Sequence, residues 1–565
     1  MFGVVNLDDS AARKMRLRAH DGPSALTHSD LTIIAAARLD DRENLCRKLE
    51  LSNPLLHGDS KLILSAYRKW GIACLDHLRG DFAFALCDVR LGLLLCARDQ
   101  MGISPFFYAH SDREFVFSDR LHALSEWPSL PCRDHPTAIA DFLLFGFGNS
   151  PDPELTAIHP VRRLLAGHAL TARWGDRLRV WRYWSPPLPQ PEASLRNPEE
   201  YAQGLKEVLR VAVRDRVCGR AQKASVAMSG GLDSTSIAAL ARHEADCHAF
   251  TIVHDRLVRD PERRFAQIAS DGLGIPTEFL IADEQRLFDG WTGPYFQNAE
   301  PHEALLLSLD IELLRSAATH SPVLLSGSGG DVVFNRPQGY WKRSLRKGLG
   351  SILNDVTQYA RWMRRIPRMG IRTAIGKKIK PAQRSTPKFP GWMNPDLAHE
   401  LGLRERWREW HGRPHTNSVH EELQNPYWGR YFEFYHPASS GIPVTVAYPL
   451  FDVRVIEFLS KVPEGPWSFE KILLRLAMKD EVPERVRLRP KTPLRDDPIR
   501  ARLQRDWPLL SHVGSAAAAV DTYVSSQRMP RRPELLGSDY RMHLRCYCLA
   551  HWLAAKNVGL AAANW

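Results

Sequence analysis

The chain has no C-x-x-C pair, no apolar run near the roughly eighteen residues of a membrane helix, and no G-x-x-x-x-G-K-[ST] or G-x-G-x-x-G loop. Each absence removes a class of function. The nine cysteines, from Cys46 to Cys548, are scattered, so neither a zinc site nor a disulfide framework is expected. The start, MFGVVNLDDSAARKM, lacks the charged-then-apolar order of a secretory signal, and a cytoplasmic protein with no membrane partner is expected. Acidic residues are nearly missing from 336–388, where fifteen Lys or Arg face Asp355 alone. That segment accounts for the net charge of +12 and leaves the rest close to neutral. A single basic insert in a neutral chain points to a local role and not to general nucleic-acid affinity.

What is present centres on 224–240, ASVAMSGGLDSTSIAAL. It reads as a buried strand over 225–228, a tight loop of Ser229, Gly230 and Gly231, and a helix opening near Asp233 and Ser234. Glycines let backbone approach a ligand closely, and a helix start offers free N–H groups and a positive dipole end to an anion. The plainer alternative is an ordinary turn capped by Asp233 or Ser234. The whole string Met228-Ser229-Gly230-Gly231-Leu232-Asp233-Ser234 resembles the pyrophosphate loop of the asparagine-synthetase-like ATP pyrophosphatases. That resemblance implies ATP and Mg²⁺, with Asp233 as a metal ligand.

Residues 1–185 alternate strands with a few helices, and 80–108 read as a hairpin: Phe82, Phe84 and Leu86, a turn over 88–92, and an apolar return over 93–97. Together with 37–42 they resemble the amino-terminal glutaminase-type domain of asparagine synthetases, an Ntn-type αββα fold. In that family the nucleophile is a cysteine exposed after removal of Met1. Here position 2 is Phe2, without any nucleophile, so an inactive class II glutamine amidotransferase-like domain is expected.

A Pro-rich linker, 186–200, precedes a second domain over 201–565. Its apolar pattern gives a helix from Tyr201 and then strands near 249–253, 277–281 and 323–325 alternating with helices near 264–273 and 304–318. An α/β fold follows, with a parallel sheet, helical additions and its ligand at the strands' carboxyl ends. The last strand leads into Ser326-Gly327-Ser328-Gly329-Gly330-Asp331, so one Mg²⁺–pyrophosphate between Asp233 and Asp331 is expected. This loop is similar to the synthetases' S-G-E-G-x-D-E, with Ser328 and Val332 in place of the glutamates, which argues against asparagine as product. Glu262 falls where the family has an acidic residue after its second strand and reads equally as a surface charge ahead of a helix, and Glu300-Pro301 resembles a loop over the active site. Lys471 and Arg475 match K-x-x-L-R, and Arg489 and Lys491 match R-x-K. Lys491 is the expected catalytic cation, steadying charge that grows in the transition state. Asp452 and Arg454 read as a buried ion pair. The basic insert, 336–428, reads as helices over the mouth of the site, with Trp341 and Trp362 as stacking or packing faces.

The lost cysteine and the large basic insert resemble lasso peptide cyclases. That implies an ATP-dependent ligase making an isopeptide macrolactam from a ribosomal precursor peptide, with a leader peptidase and a leader-recognition protein as partners. A β-lactam-synthetase-like enzyme acting on a small molecule, and an inactive nucleotide-binding scaffold, are the alternatives.

Overall fold

The computed structural model describes residues 1–6, 16–19, 25–111, 114–173, 177–190, 198–217, 222–258, 261–296, 299–334, 349–363, 387–413, 418–463, 465–467, 469–490, 496–513, 518–531, 534, 537 and 539–562. The amino-terminal part stacks two antiparallel sheets between helices. One sheet runs Arg162–Arg163, Phe107–His110, Glu114–Ser118, Phe2–Asn6, Arg16–Ala19. The other runs Arg179–Arg182, His168–Arg173, Leu93–Arg98, Gly80–Asp88, Leu31–Leu39, Leu26–His28. The strand Gly80–Asp88 shows why the layers form. Its bulky Phe82, Phe84 and Leu86 join the cluster beneath the helix Asp59–Trp70, while Ala83, Ala85 and Cys87 face the second sheet. Strand alternation thus puts large side chains against the helix and small ones between sheets.

The second part carries a wholly parallel sheet ordered Thr277–Ile281, Asp246–Val253, Lys223–Ala227, Val323–Ser326, Thr445–Ala447. Val226, Ala249 and Leu325 face one core with the helices Pro198–Val217, Leu232–Ala241 and Glu262–Leu273. Phe250 and Leu324 face another with the helix Leu307–His320. Both faces are covered, as a parallel sheet requires. The expected strand over 225–228 sits slightly earlier, at Lys223–Ala227, and the helix expected over 304–318 spans Leu307–His320. Among the described residues, no helix is long and apolar enough to cross a membrane.

The two parts meet through two buried ionic clusters. In the first, Arg38 pairs with Asp81 at 2.8 Å and with Asp40, while Arg216 and Arg454 hold Asp452 at 2.7 and 2.8 Å. The arginines flanking Asp452 keep its carboxyl far below the usual range despite burial. The Asp452–Arg454 pair expected from sequence is therefore present, widened by Arg216 and by Asp215 at 2.7 Å from Arg454. In the second cluster, Glu433 takes Arg98 and Arg163, each at 2.8 Å, and Glu300 takes Arg163 at 2.6 Å and also Arg430.

Of the basic insert, 336–348, 364–386 and 414–417 fall outside the described residues, Trp341 among them. The helix Leu349–Met363 is present, with Tyr359 fully buried and edge-on to Phe469, ring centres 6.2 Å apart. Trp362, expected as a stacking or packing face, packs partly against the core.

Candidate active site

The strand Lys223–Ala227 ends at Met228, whose N–H donates to the Phe250 carbonyl at 3.0 Å, and the chain turns through Ser229, Gly230 and Gly231. Gly230 has φ of +66°, and a side chain there would run into the Phe265 and Ala266 backbone. Only glycine meets both demands without strain. The residue capping the helix Leu232–Ala241 is Gly231, not Asp233 or Ser234. Ser234 Oγ is used inside the loop, accepting from the Ser229 N–H at 3.1 Å.

The second loop nests against the first. A Cβ on Gly327 would sit 2.6 Å from the Ser234 Cα, and one on Gly330 would fall on the Asp233 carboxylate. Gly329, at φ of +99°, lies under the Phe451 ring. Ser326 Oγ accepts from the Ser328 N–H at 3.2 Å, and Ser328 Oγ lies 2.9 Å from Ser326 Oγ and 3.1 Å from the Tyr431 hydroxyl. The glycines are thus required for the two loops to close on each other.

Between the loops stands Lys471. Its Nζ pairs with Asp233 Oδ2 and with Asp331 Oδ1, the latter at 2.7 Å. Glu470 and Lys471 both have left-handed backbone, at φ of 45° and 59°. Two successive non-glycine residues in that region are costly and persist where the surroundings impose them. The turn aims the ammonium at the carboxylates. Lys491, the cation expected from sequence, lies outside the described residues. Two residues before it, Arg489 lies 3.9 Å over the Phe265 ring and donates to the Gly230 carbonyl at 3.4 Å, bracing the first loop from outside.

The loops open on a cavity of about 400 Å³ lined by Ser229, Asp233, Asp310, Ser328, Tyr431 and Tyr435, among others. Asp310 was not foreseen. A larger cavity of about 720 Å³ lies between the two parts of the chain, walled by Phe2, Trp127, Glu300 and Arg430, and contains neither glycine loop. The smaller cavity is therefore the candidate site. Glu300, expected near it, is committed to Arg163 and Arg430 and accepts from the Ala157 N–H at 3.1 Å. Glu262 opens the helix Glu262–Leu273, whose Phe265–Ala266 backbone lies against Gly230, so it is within a turn of the first loop. Phe2 is buried in a sheet strand with its ring edge-on to Trp127 at 5.2 Å.

Asp233 and Asp331 converge on one cationic point, so a divalent ion there would find two carboxylates. No group of three or more His, Cys, Asp or Glu able to hold a metal occurs among the described residues. The set fits Mg²⁺, which commonly takes one or two carboxylates and completes its shell with phosphate oxygens and water.

Gly330→Ala is expected to leave the thermal midpoint nearly unchanged, because the atoms met are the mobile end of Asp233. Activity should fall roughly 100-fold as that carboxylate is displaced. A variant with native turnover would show that Asp233's position is unimportant.

Comparison with known proteins bears directly on this geometry. Residues 204–522 match the asparagine synthase family and residues 27–184 the glutamine amidotransferase domain. The chain is 24% identical over 511 residues to the glutamine-hydrolyzing asparagine synthetase 3 of Bacillus subtilis (strain 168), covering 83% of this chain and 76% of that protein. It is 26% identical over 465 residues to a putative glutamine-hydrolyzing asparagine synthetase of Mycobacterium bovis, covering 77% and 69%. A putative asparagine synthetase 2 of Methanocaldococcus jannaschii is 26% identical over 316 residues, 55% of this chain and 59% of its own length. With its matched region spanning both glycine loops and Lys471, the chain belongs to the asparagine synthase family.

Proposed function

We propose that this protein is a glutamine-independent ATP-dependent amide synthetase that closes a macrolactam on a ribosomal precursor peptide, as a lasso peptide cyclase does. The carrying observation is the convergence of Asp233, Asp331 and Lys471 between two interlocked glycine loops at the carboxyl end of a parallel sheet. Loop N–H groups from Ser229 to Ser234 and from Gly327 to Gly330 bind the phosphates of ATP. Asp233 and Asp331 would hold Mg²⁺, which supplies charge neutralisation at the leaving pyrophosphate. Lys471 offsets charge that grows as the α-phosphate transfers.

The carboxylate of an Asp or Glu side chain attacks the α-phosphorus, releasing pyrophosphate and leaving a mixed anhydride with AMP. The peptide's amino terminus, freed by a leader peptidase, attacks the acyl carbon. The C–N bond forms, the C–O bond to AMP breaks, and one proton leaves the nitrogen. Phe2 supports the absence of an internal ammonia source, since a buried phenyl ring has no nucleophile. The peptide acceptor is supported by the basic insert, whose described helix docks on Phe469, two residues before Lys471. The modest volume of the candidate cavity favours, as a second reading, a small amino acid closed on itself.

Incubation with ATP, Mg²⁺, a leader peptidase, a leader-recognition protein and the precursor peptide encoded alongside is expected to release AMP and pyrophosphate. The peptide product should be lighter by one water. Glutamine should not be hydrolysed, by this chain or by Phe2→Cys. A linear product, or release of ADP and phosphate, would count against the proposal, and turnover of a free small amino acid alone would favour the second reading.

A further inference from the structure

Asp310 occupies an unusual place. It is the fourth residue of the helix Leu307–His320, in the apolar run Leu305-Leu306-Leu307-Ser308-Leu309-Asp310-Ile311, yet it lines the same cavity as Asp233 and Ser328. Its Oδ1 accepts from the Tyr435 hydroxyl at 3.0 Å. Among the described residues no ion pair reaches it, and its second oxygen has no protein partner. The ionisable groups around it are Tyr435 and Tyr431 on the helix Pro426–Tyr435 and, across the cavity, Asp233 with Lys471 behind it. Tyr431 is hydrogen-bonded to Ser328, and the other carboxylate lining the cavity, Asp233, is already paired with Lys471.

We propose that Asp310 is the proton acceptor for the attacking amine in the amide-forming half of the reaction, an assignment that rests on the amide synthetase reading above. As the C–N bond forms and AMP leaves, the proton on the nitrogen passes to the Asp310 carboxylate and from there to solvent, so the step is neutral in electrons and balanced in protons. The geometry fits this division of work. Asp233 and Asp331 are tied to Lys471 at the phosphate end, whereas Asp310 stands apart from any cation, with one oxygen uncommitted. Burial pushes its carboxyl up to about 7, offset in part by the Tyr435 hydroxyl. A base of that strength suits an α-amine, whose ordinary pKa is about 7.7–8.0, because proton acceptors work best near the operating pH.

The test separates the two halves of the reaction in the full chain. Carboxylate-dependent exchange of labelled pyrophosphate into ATP reads the first half, using synthetic peptides with a free amino terminus and one Asp or Glu. Mass analysis of the cyclised peptide reads the second, and hydroxylamine, already neutral at pH 7 and weakly basic enough to give up its nitrogen proton to water on attack, serves as an amine that does not depend on a protein base. Asp310→Asn is expected to keep exchange and hydroxamate formation while cyclisation falls roughly 10²–10⁴-fold. The residual cyclisation should rise with pH as the amine deprotonates unaided. Tyr435→Phe removes the hydroxyl that lowers the Asp310 pKa, so the acid limb of the cyclisation profile should move to higher pH with exchange intact. Cyclisation by Asp310→Asn at the native rate and pH profile would overturn the assignment. Equal losses in exchange and cyclisation would do so too, by placing Asp310 in nucleotide binding. Absence of exchange in the unmodified chain with every carboxylate tried would instead overturn the amide synthetase reading on which the assignment stands.

Discussion

Lys471→Ala is expected to lower carboxylate-dependent pyrophosphate exchange by roughly 10²–10³-fold, the usual cost of deleting one preorganised charge-stabilising donor. Two effects add. The ammonium that offsets charge at the α- and β-phosphates is gone, and Asp233 and Asp331 lose the cation that draws them together. Lys471→Arg should rescue little, because a planar fork cannot take the place of a compact ammonium on a left-handed turn. Exchange within threefold of native for Lys471→Ala would move the essential cation elsewhere, with Lys491 and Arg489 the next to test.

The largest stability effect is expected at Glu433. Glu433→Gln removes the carboxylate shared by Arg98 and Arg163 and near Arg430, leaving Arg163 and Arg430 with Glu300 and leaving the buried Arg98 without the acidic partner described for it. Breaking a buried pair from one side costs roughly 3–5 kcal/mol, far above the roughly 0–1 kcal/mol of a surface pair. Desolvation alone would raise the carboxyl, but the three arginines hold it below its usual range, so its stabilising contribution is present above the unfolded carboxylate range and fades as pH falls through the depressed native value. Urea midpoints at pH 7 measure the loss, and a change under about 1 kcal/mol would mean that water reaches the cluster.

Much of the two-loop arrangement was legible in sequence because each loop is local. Ser229 to Ser234 and Ser326 to Asp331 are short strings in which glycines and a terminal carboxylate sit at fixed offsets after apolar strands, and the structure brings them together. The hairpin at Gly80–Asp88 and Leu93–Arg98 was readable from strict alternation. What escaped is non-local. Lys471 and Lys491 both sit in basic motifs, and the left-handed pair Glu470–Lys471 that aims one of them at Asp233 leaves no composition signal. The fifth parallel strand, Thr445–Ala447, is too short for periodicity to register. Glu300 was drawn toward the site by the resemblance of Glu300-Pro301 to an active-site loop, although its partner Arg163 lies 137 positions earlier. Asp310 did carry a signal, a lone carboxylate inside an apolar run, which a search for unpaired charges in helices would have found.

The two ionic clusters also bear on what the amidotransferase-like domain contributes to the rest of the chain. Arg98 and Arg163 on one side answer Glu300, Glu433 and Arg430 on the other, and Arg38, Asp40 and Asp81 answer Arg216, Asp452 and Arg454. Within each cluster, neither half balances its buried charge alone. Separating the two parts would therefore strand unpaired charge on both faces, so the first part serves the second as a counterion whatever chemistry it performs.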